Sequence, residues 1–381
     1  MNAPHGEGVA NGMKALAVFP AQRAVRLVAH PEPAITTPTG VKLRILEIGI
    51  CGTDREIVGF QYGTPPPGSE YLVLGHESLG EVIEVGAAVT RVKPGDLVVT
   101  MVRRPCPDAE CLACPVDRQD FCSTGDFTER GIKGAHGFCT QFVVDDGKYM
   151  NVVPRELREV AVLTEPLTIA EKAITQVWHV QQRLPWIAPG KPGPKGRFHR
   201  AVVLGAGPVG LLGSMALVNA GFQTTVYSRT SGPHDKARLV ESFGARYVAA
   251  ETTTLEQLAE RVGNIDLVYE ATGAARVSFE MMEVLGTNGV FIFTGVPGRR
   301  GPIELDADLI MRNLVLKNQV VFGTVNANRD AFEAAIRDLG TFMGRWPEAV
   351  RGLITGRFPI DKATDVLLGQ PSGIKNVITI T

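Results

Sequence analysis

From about Met13 to Val153 the chain alternates apolar and polar residues in short runs broken by glycine and proline. Val41-Lys-Leu-Arg-Ile-Leu-Glu-Ile48, Glu81-Val-Ile-Glu-Val85 and Asp96-Leu-Val-Val99 carry the pattern most plainly. A period of two puts successive side chains on opposite faces of a strand, and the frequent turn residues cut the strands short. The pattern predicts an antiparallel, barrel-like β domain. The Pro/Gly-rich segment from Leu184 to Gly196 reads as a boundary or a surface loop.

Beyond it the rhythm changes. Ala201-Val-Val-Leu204, Thr224-Thr-Val-Tyr227, Ile265-Asp-Leu-Val-Tyr269 and Val290-Phe-Ile-Phe-Thr294 read as buried strands. Helical stretches stand between them at Pro208 to Ala220, Asp235 to Phe243 and around Val277 to Leu285. Strands alternating with helices predict a parallel sheet wound by right-handed crossovers. The last segment, from about Val325 onward, mixes helix and strand; it either completes this sheet or returns to the first domain.

Composition narrows the function classes. The 39 Lys+Arg against 40 Asp+Glu leave a formal charge of −1, without the basic excess of a nucleic-acid binder. Residues of hydrophobic type make up 44% of the chain, enough for a sizeable core. The absence of a long apolar run excludes an expected membrane span. Met1 to Asn11 is polar and reads as a tail rather than a secretion signal, so the expected location is the cytoplasm.

Gly205-Ala-Gly207-Pro208-Val209-Gly210 follows the first strand of the second region and opens its helix. Gly205 permits the tight turn, Gly207 lets the backbone approach a pyrophosphate, and Gly210 lets the helix pack on the strand. The free N–H groups at the helix start then favour phosphate. About 20 residues on, where a carboxylate binds the ribose of NAD, the chain reads Tyr227-Ser228-Arg229-Thr230. Arg229 and Ser228 suit a 2′-phosphate, so NADP is preferred and NAD remains possible.

Four of the six cysteines, Cys106, Cys111, Cys114 and Cys122, cluster in one loop. Four thiolates close a tetrahedral structural zinc site; an iron–sulfur cluster is less favoured, because nothing else in the sequence points to electron transfer. Separately, Gly49-Ile-Cys51-Gly-Thr53-Asp54, Gly75-His76-Glu77 and Leu163-Thr-Glu165 offer a thiolate, an imidazole and carboxylates. Mixed ligation of that kind with an exchangeable position is what a catalytic zinc requires.

Together these motifs resemble the zinc-dependent medium-chain dehydrogenase/reductase superfamily, in its order: Cys51-Gly-Thr-Asp54, then Gly75-His76-Glu77-Ser-Leu-Gly80, Val92-Lys-Pro-Gly-Asp96, the four-cysteine lobe and the Gly205–Gly210 turn. Within it the chain is most similar to the glucose 1-dehydrogenase branch, through Val102-Arg103-Arg104-Pro105, Gly125-Asp-Phe-Thr-Glu129-Arg-Gly131, Glu165-Pro166-Leu167, Glu171-Lys172 and Gly323-Thr324-Val325-Asn326. The resemblance implies an α/β protein with a GroES-like β-barrel catalytic domain over 13–185, completed by about 325–381. A Rossmann domain would span 198–324.

The resemblance further implies oxidation of an aldose, D-glucose first, to its lactone, by a homodimer or homotetramer. Cys51, His76 and Glu165 would surround the catalytic zinc, with Glu77 beside them and Thr53 next to the reacting hydroxyl. Glu129, Glu171, Asn326 and Glu165 would line the sugar, with Asn326 and Thr324 also near the nicotinamide. The first lobe spacing, four residues rather than the common two, departs from the family pattern. A polyol, threonine or other alcohol dehydrogenase on the same scaffold is the alternative; a non-catalytic cofactor-binding sensor has no need of an open zinc position.

Overall fold

The computed structural model describes residues 12–185, 195–231, 234–298 and 301–380. The tail Met1 to Asn11 and most of the Pro/Gly-rich segment lie outside these residues. The chain divides into two compact units: Met1–Glu165 with Ala327–Glu333 and Ile354–Thr381, and Pro166–Asn326 with Ala334–Leu353.

The first unit is built on a seven-stranded sheet ordered Met150–Val153, Leu97–Thr100, Glu77–Val85, Gly40–Gly49, Lys375–Thr379, Ile354–Pro359, with Phe142–Asp146 also paired to Gly40–Gly49. Alternation drives the central strand: Val41, Leu43 and Ile45 are fully buried, while Lys42 and Arg44 reach outward. A register shift between Ile45 and Glu47 then changes the phase, so Ile48 also turns inward. The pairs are antiparallel as the pattern predicts, except the last, Ile354–Pro359 with Lys375–Thr379. That parallel pair needs a crossover, which the helix Ala363–Leu368 supplies. Two three-stranded sheets complete the unit, one of them formed by Arg103–Arg104, Thr128–Arg130 and Gly134–Ala135.

The second unit holds a six-stranded, wholly parallel sheet. Its order is Arg246–Ala249, Gln223–Ser228, Arg200–Leu204, Leu267–Glu270, Val290–Phe293, Val320–Gly323, which is 3-2-1-4-5-6 in chain order. This is the doubly wound dinucleotide-binding arrangement. Ala201 to Leu204 is buried throughout, as a strand covered on both faces must be. Residues 334–353 belong to this unit, and the strands that follow return to the first. No helix among the described residues is long and apolar enough to cross a membrane.

Candidate active site

Cys51 closes the turn after strand Gly40–Gly49 and caps helix Gly52–Val58, while His76 and Glu77 stand at the start of strand Glu77–Val85. Residues Gly49 and Glu77 face each other in the ladder. One ligand atom from each of Cys51, His76 and Glu77 lies within 4.8 Å of the others. Asp54 accepts the Cys51 backbone N–H through Oδ2 at 2.8 Å and sets Oδ1 3.3 Å from His76 Nδ1. With Nδ1 facing a carboxylate, Nε2 is the nitrogen left for a cation. Thr53, partly exposed, is the second residue of the same helix.

The charge around this set is lopsided. Burial by itself would lower His76, yet the Asp54 carboxylate and Cys51 carry it well above its ordinary range. Glu165, in the first turn of helix Thr164–Gln181, is pushed up to about 7 by burial; His76 opposes the rise and Glu77 adds to it. The fully buried Lys375 donates to the Ile50 carbonyl at 2.8 Å and forms an ion pair with Glu77. Several carboxylates and a thiol therefore crowd one lysine and one imidazole. The donors present, soft sulfur with nitrogen and carboxylate oxygen, fit a divalent zinc ion that would supply the missing positive charge.

The turn that follows Glu129 packs on the segment that carries His76. A Cβ on Gly131 would meet the Gly75 carbonyl oxygen at 2.5 Å, so the turn after Glu129 can lie directly on the residue before His76. Phe138 and Cys139 N–H groups donate to the carbonyls of Gly75 and Leu74 and tie the two segments together. Burial pushes the Cys139 thiol up to about 12, which leaves it an ordinary buried thiol.

The four lobe sulfurs of Cys106, Cys111, Cys114 and Cys122 also lie within 4.8 Å of one another, in spite of the longer first spacing. The Cys114 N–H, then the Ser123 groups, hold Cys111 down to about 5, whereas burial pushes Cys114 up to about 12. Four adjacent sulfurs do not ionise together without a cation, and the tetrahedral thiolate set fits structural zinc.

In the second unit Gly205 has φ +102°, in the left-handed region, where a Cβ would also strike Thr272 at 2.6 Å. Around Gly207 a Cβ meets nothing within 4 Å, the open cradle a pyrophosphate needs; at Gly210 it would fall 2.2 Å from the Gly205 carbonyl oxygen. Pro208 and Val209 open the helix Pro208–Asn219. Ser228 ends strand Gln223–Ser228 and Arg229 is exposed just beyond it. Glu251 comes to the same loop, where its carboxylate accepts the Ser231 N–H at 2.8 Å and hydroxyl at 2.7 Å.

The loop after strand Val320–Gly323 is fixed by two contacts: Gln176 donates to the Thr324 hydroxyl at 2.7 Å, and Lys172 to the Val325 carbonyl at 2.9 Å. Asn326 follows at φ +60°, a conformation asparagine tolerates better than most residues. Glu171 instead faces Asp338: burial, then the Asp338 charge, pushes its carboxyl up to about 8. The folded state thus holds a proton that the unfolded chain releases above about pH 4, and this contribution to stability is lost as pH rises through about 8. Glu171→Gln is therefore expected to raise Tm at pH 8 by about 2–4 °C and to leave it nearly unchanged at pH 4, measured by thermal melts.

Three residues of these sites, Asp54, Lys375 and Glu251, are hard to read from the local sequence. Asp54 sits inside the Cys51 motif but shows its contact to His76 only in three dimensions. Lys375 and Glu251 arrive from other strands or loops; for Asp54 the one local signal is an acidic residue three after Cys51, a helix-start pattern.

The molecule matches known proteins over nearly its whole length. Residues 37–155 match the alcohol dehydrogenase GroES-like domain, and residues 158–380 match the glucose dehydrogenase C-terminus. A glucose 1-dehydrogenase of Thermoproteus tenax is 40% identical over 97% of this chain and 99% of its own, and one of Methanocella arvoryzae is 37% identical with the same coverage. The structure of Haloferax mediterranei glucose dehydrogenase in complex with NADP, Zn and gluconolactone superposes with a TM-score of 0.85 at 30% identity, covering 97% of this chain and 99% of that one.

Proposed function

Because the chain belongs to the glucose dehydrogenase family of the zinc-dependent medium-chain dehydrogenases, we propose that it oxidises an aldose, D-glucose foremost, at the anomeric carbon. The anomeric C–H passes as hydride to the nicotinamide of NADP+, the O–H releases its proton, and the aldonolactone and NADPH are the products. The observation that carries this reading is the Cys51/His76/Glu77 donor set, half-buried at Cys51 and buried at the other two, with the Glu129 turn packed on the residue before His76.

Cys51, His76 and Glu165, with Glu77 as the neighbouring or alternating carboxylate, would hold the zinc, which would supply Lewis acidity to lower the pKa of the sugar hydroxyl. Asp54 keeps the His76 ring in one orientation, and Lys375 offsets the charge of Glu77. Thr53 takes the hydroxyl proton and relays it to solvent. Glu129 and Asn326 accept hydrogen bonds from other sugar hydroxyls, so a substrate lacking one leaves a polar group unpaired. We assign Glu171 to the carboxyl pair with Asp338 rather than to the sugar.

The backbone of Gly205, Gly207, Pro208, Val209 and Gly210 cradles the pyrophosphate, and Thr324 and Asn326 flank the nicotinamide ring. Ser228 and Arg229 bind the 2′-phosphate, which favours NADP while leaving NAD usable. Arg229→Ala should raise KM for NADP about 10- to 100-fold and leave KM for NAD within about threefold in initial-rate assays. The Glu251 carboxylate beside the loop makes the selectivity depend on Arg229 more sharply.

We read the working form as a homodimer or homotetramer. Met311, Val315 and Leu316 expose apolar side chains along the helix Ala307–Leu316 of the second unit, and a second copy of this chain is the occupant a symmetric oligomer would place there. Closed thiolate sites suit a reducing compartment, and we assign the protein to the cytoplasm.

The test is nicotinamide reduction with D-glucose, D-galactose, D-xylose, sorbitol, L-threonine and ethanol, each with NADP and NAD. Faster turnover of an aldose with NADP supports the proposal; turnover confined to polyols, threonine or ethanol removes the sugar assignment.

A further inference from the structure

Arg103 has no part in the reaction as described, yet few charged side chains in the protein are held so completely. It stands in the two-residue strand Arg103–Arg104, directly opposite Glu129 in the antiparallel pair with Thr128–Arg130. Its side chain is 7% exposed and that of Glu129 6%. Nε and Nη2 both donate to Glu129 Oε1, at 3.1 and 3.0 Å. Nη1 reaches the carbonyls of Gln119 and Asp120 in the cysteine lobe at 3.4 Å. The guanidinium carbon lies 3.7 Å from the centroid of the Phe127 ring. The edge of the cation is spent on oxygens and one face on an aromatic ring.

Such a pair is poorly explained by stability alone. Desolvating two charges offsets most of their attraction, and apolar residues of similar volume often serve a fold as well. What the guanidinium supplies is position, because two donors in fixed geometry, Nε and Nη2, converge on Glu129 Oε1 and fix where that oxygen lies. We infer that Arg103 is a positioning residue for the sugar: it fixes the Glu129 carboxylate in the position that recognises the aldose hydroxyls. This inference rests on the reading of Glu129 as a sugar ligand. Arg103 touches neither substrate nor cofactor, and its effect passes through Glu129.

Steady-state kinetics with D-glucose and NADP+ on the zinc-loaded full chain separate this role from a structural one, with Tm and zinc content measured alongside. Arg103→Lys keeps the charge and loses the fixed pair of donors, and is expected to raise KM for glucose at least about tenfold, with kcat within about threefold and KM for NADP unchanged. Glu129→Gln should raise KM for glucose as well, and adding Arg103→Lys to it should change KM by less than about twofold, since the lysine then has no carboxylate to misplace. Phe127→Leu removes only the ring beneath the guanidinium; it serves if Arg103→Lys does not fold, and is expected to raise KM about threefold.

An unchanged KM in both Arg103→Lys and Phe127→Leu overturns the inference. So do losses that add fully in the double variant, or that track Tm and the cofactor constants. If Glu129→Gln itself leaves KM for glucose unchanged, Glu129 is not a sugar ligand and the role of Arg103 falls with that reading. A raised KM in Glu129→Gln beside an unaffected Arg103→Lys removes only the positioning role.

Discussion

Cys51→Ser is expected to lower kcat/KM for the aldose by about a thousandfold or more, with one zinc lost per chain and the melting temperature within a few degrees of the parent. The serine oxygen is a poor replacement for a soft thiolate beside an imidazole nitrogen. The other contacts of the segment stay in place: the Cys51 N–H still donates to Asp54, and Gly49 still pairs with Glu77. Fold and catalysis therefore part company at this position. Zinc analysis with initial rates checks it, and a variant that retains zinc and turnover would place the donor set elsewhere. His76→Ala would lose the same activity but also strand the buried Asp54 carboxylate, so the cysteine gives the cleaner reading.

The second large effect belongs to the lobe. Cys114→Ala opens a closed four-sulfur set, and the expected outcome is loss of the other zinc ion with a fall in Tm on the order of 10 °C. Cys114 is buried among the remaining sulfurs, and its loss leaves Cys106, Cys111 and Cys122 as an incomplete ligand set. The lobe also carries Gln119 and Asp120, whose carbonyls hold Arg103. Loosening it should raise KM for the sugar beyond what the change in Tm accounts for. Metal content, thermal melts and KM measured on one preparation check the three consequences together.

Much of this architecture is legible in the sequence because the physics is local. Period-two alternation in Val41 to Ile48 requires one buried face. The glycine at 205 fits a left-handed turn, and the glycine at 210 a contact that admits no side chain; both properties follow from the residue type. Four cysteines in one loop need only that loop to meet. The catalytic donors are harder, since Cys51 and His76 come together only because their strands pair in a particular register. Residue type names these donors, but no spacing in the sequence encodes that register.

Contacts made by distant segments leave no such trace. Lys375 lies near the far end of the chain and reaches Glu77 because the final strand pairs with Gly40–Gly49. Glu251 meets Ser231 by neighbouring strand Gln223–Ser228 through Arg246–Ala249, where a search for a carboxylate just after Tyr227 finds none. The same holds for Glu171: its residue type suits a sugar pocket, and nothing in the sequence shows the burial or the Asp338 charge that raises its carboxyl. Residue type states what chemistry is available; the partner across the packing interface determines its use.

The central claim is that this chain oxidises an aldose in a zinc-dependent reaction. Its most direct test is to follow lactone formation from D-glucose with NADP+ by the metal-depleted protein, before and after zinc is restored. The account predicts no lactone without zinc, and after its return lactone and NADPH in equal amounts. Lactone formed at the same rate without zinc, or none formed by the fully loaded and folded protein, would contradict it.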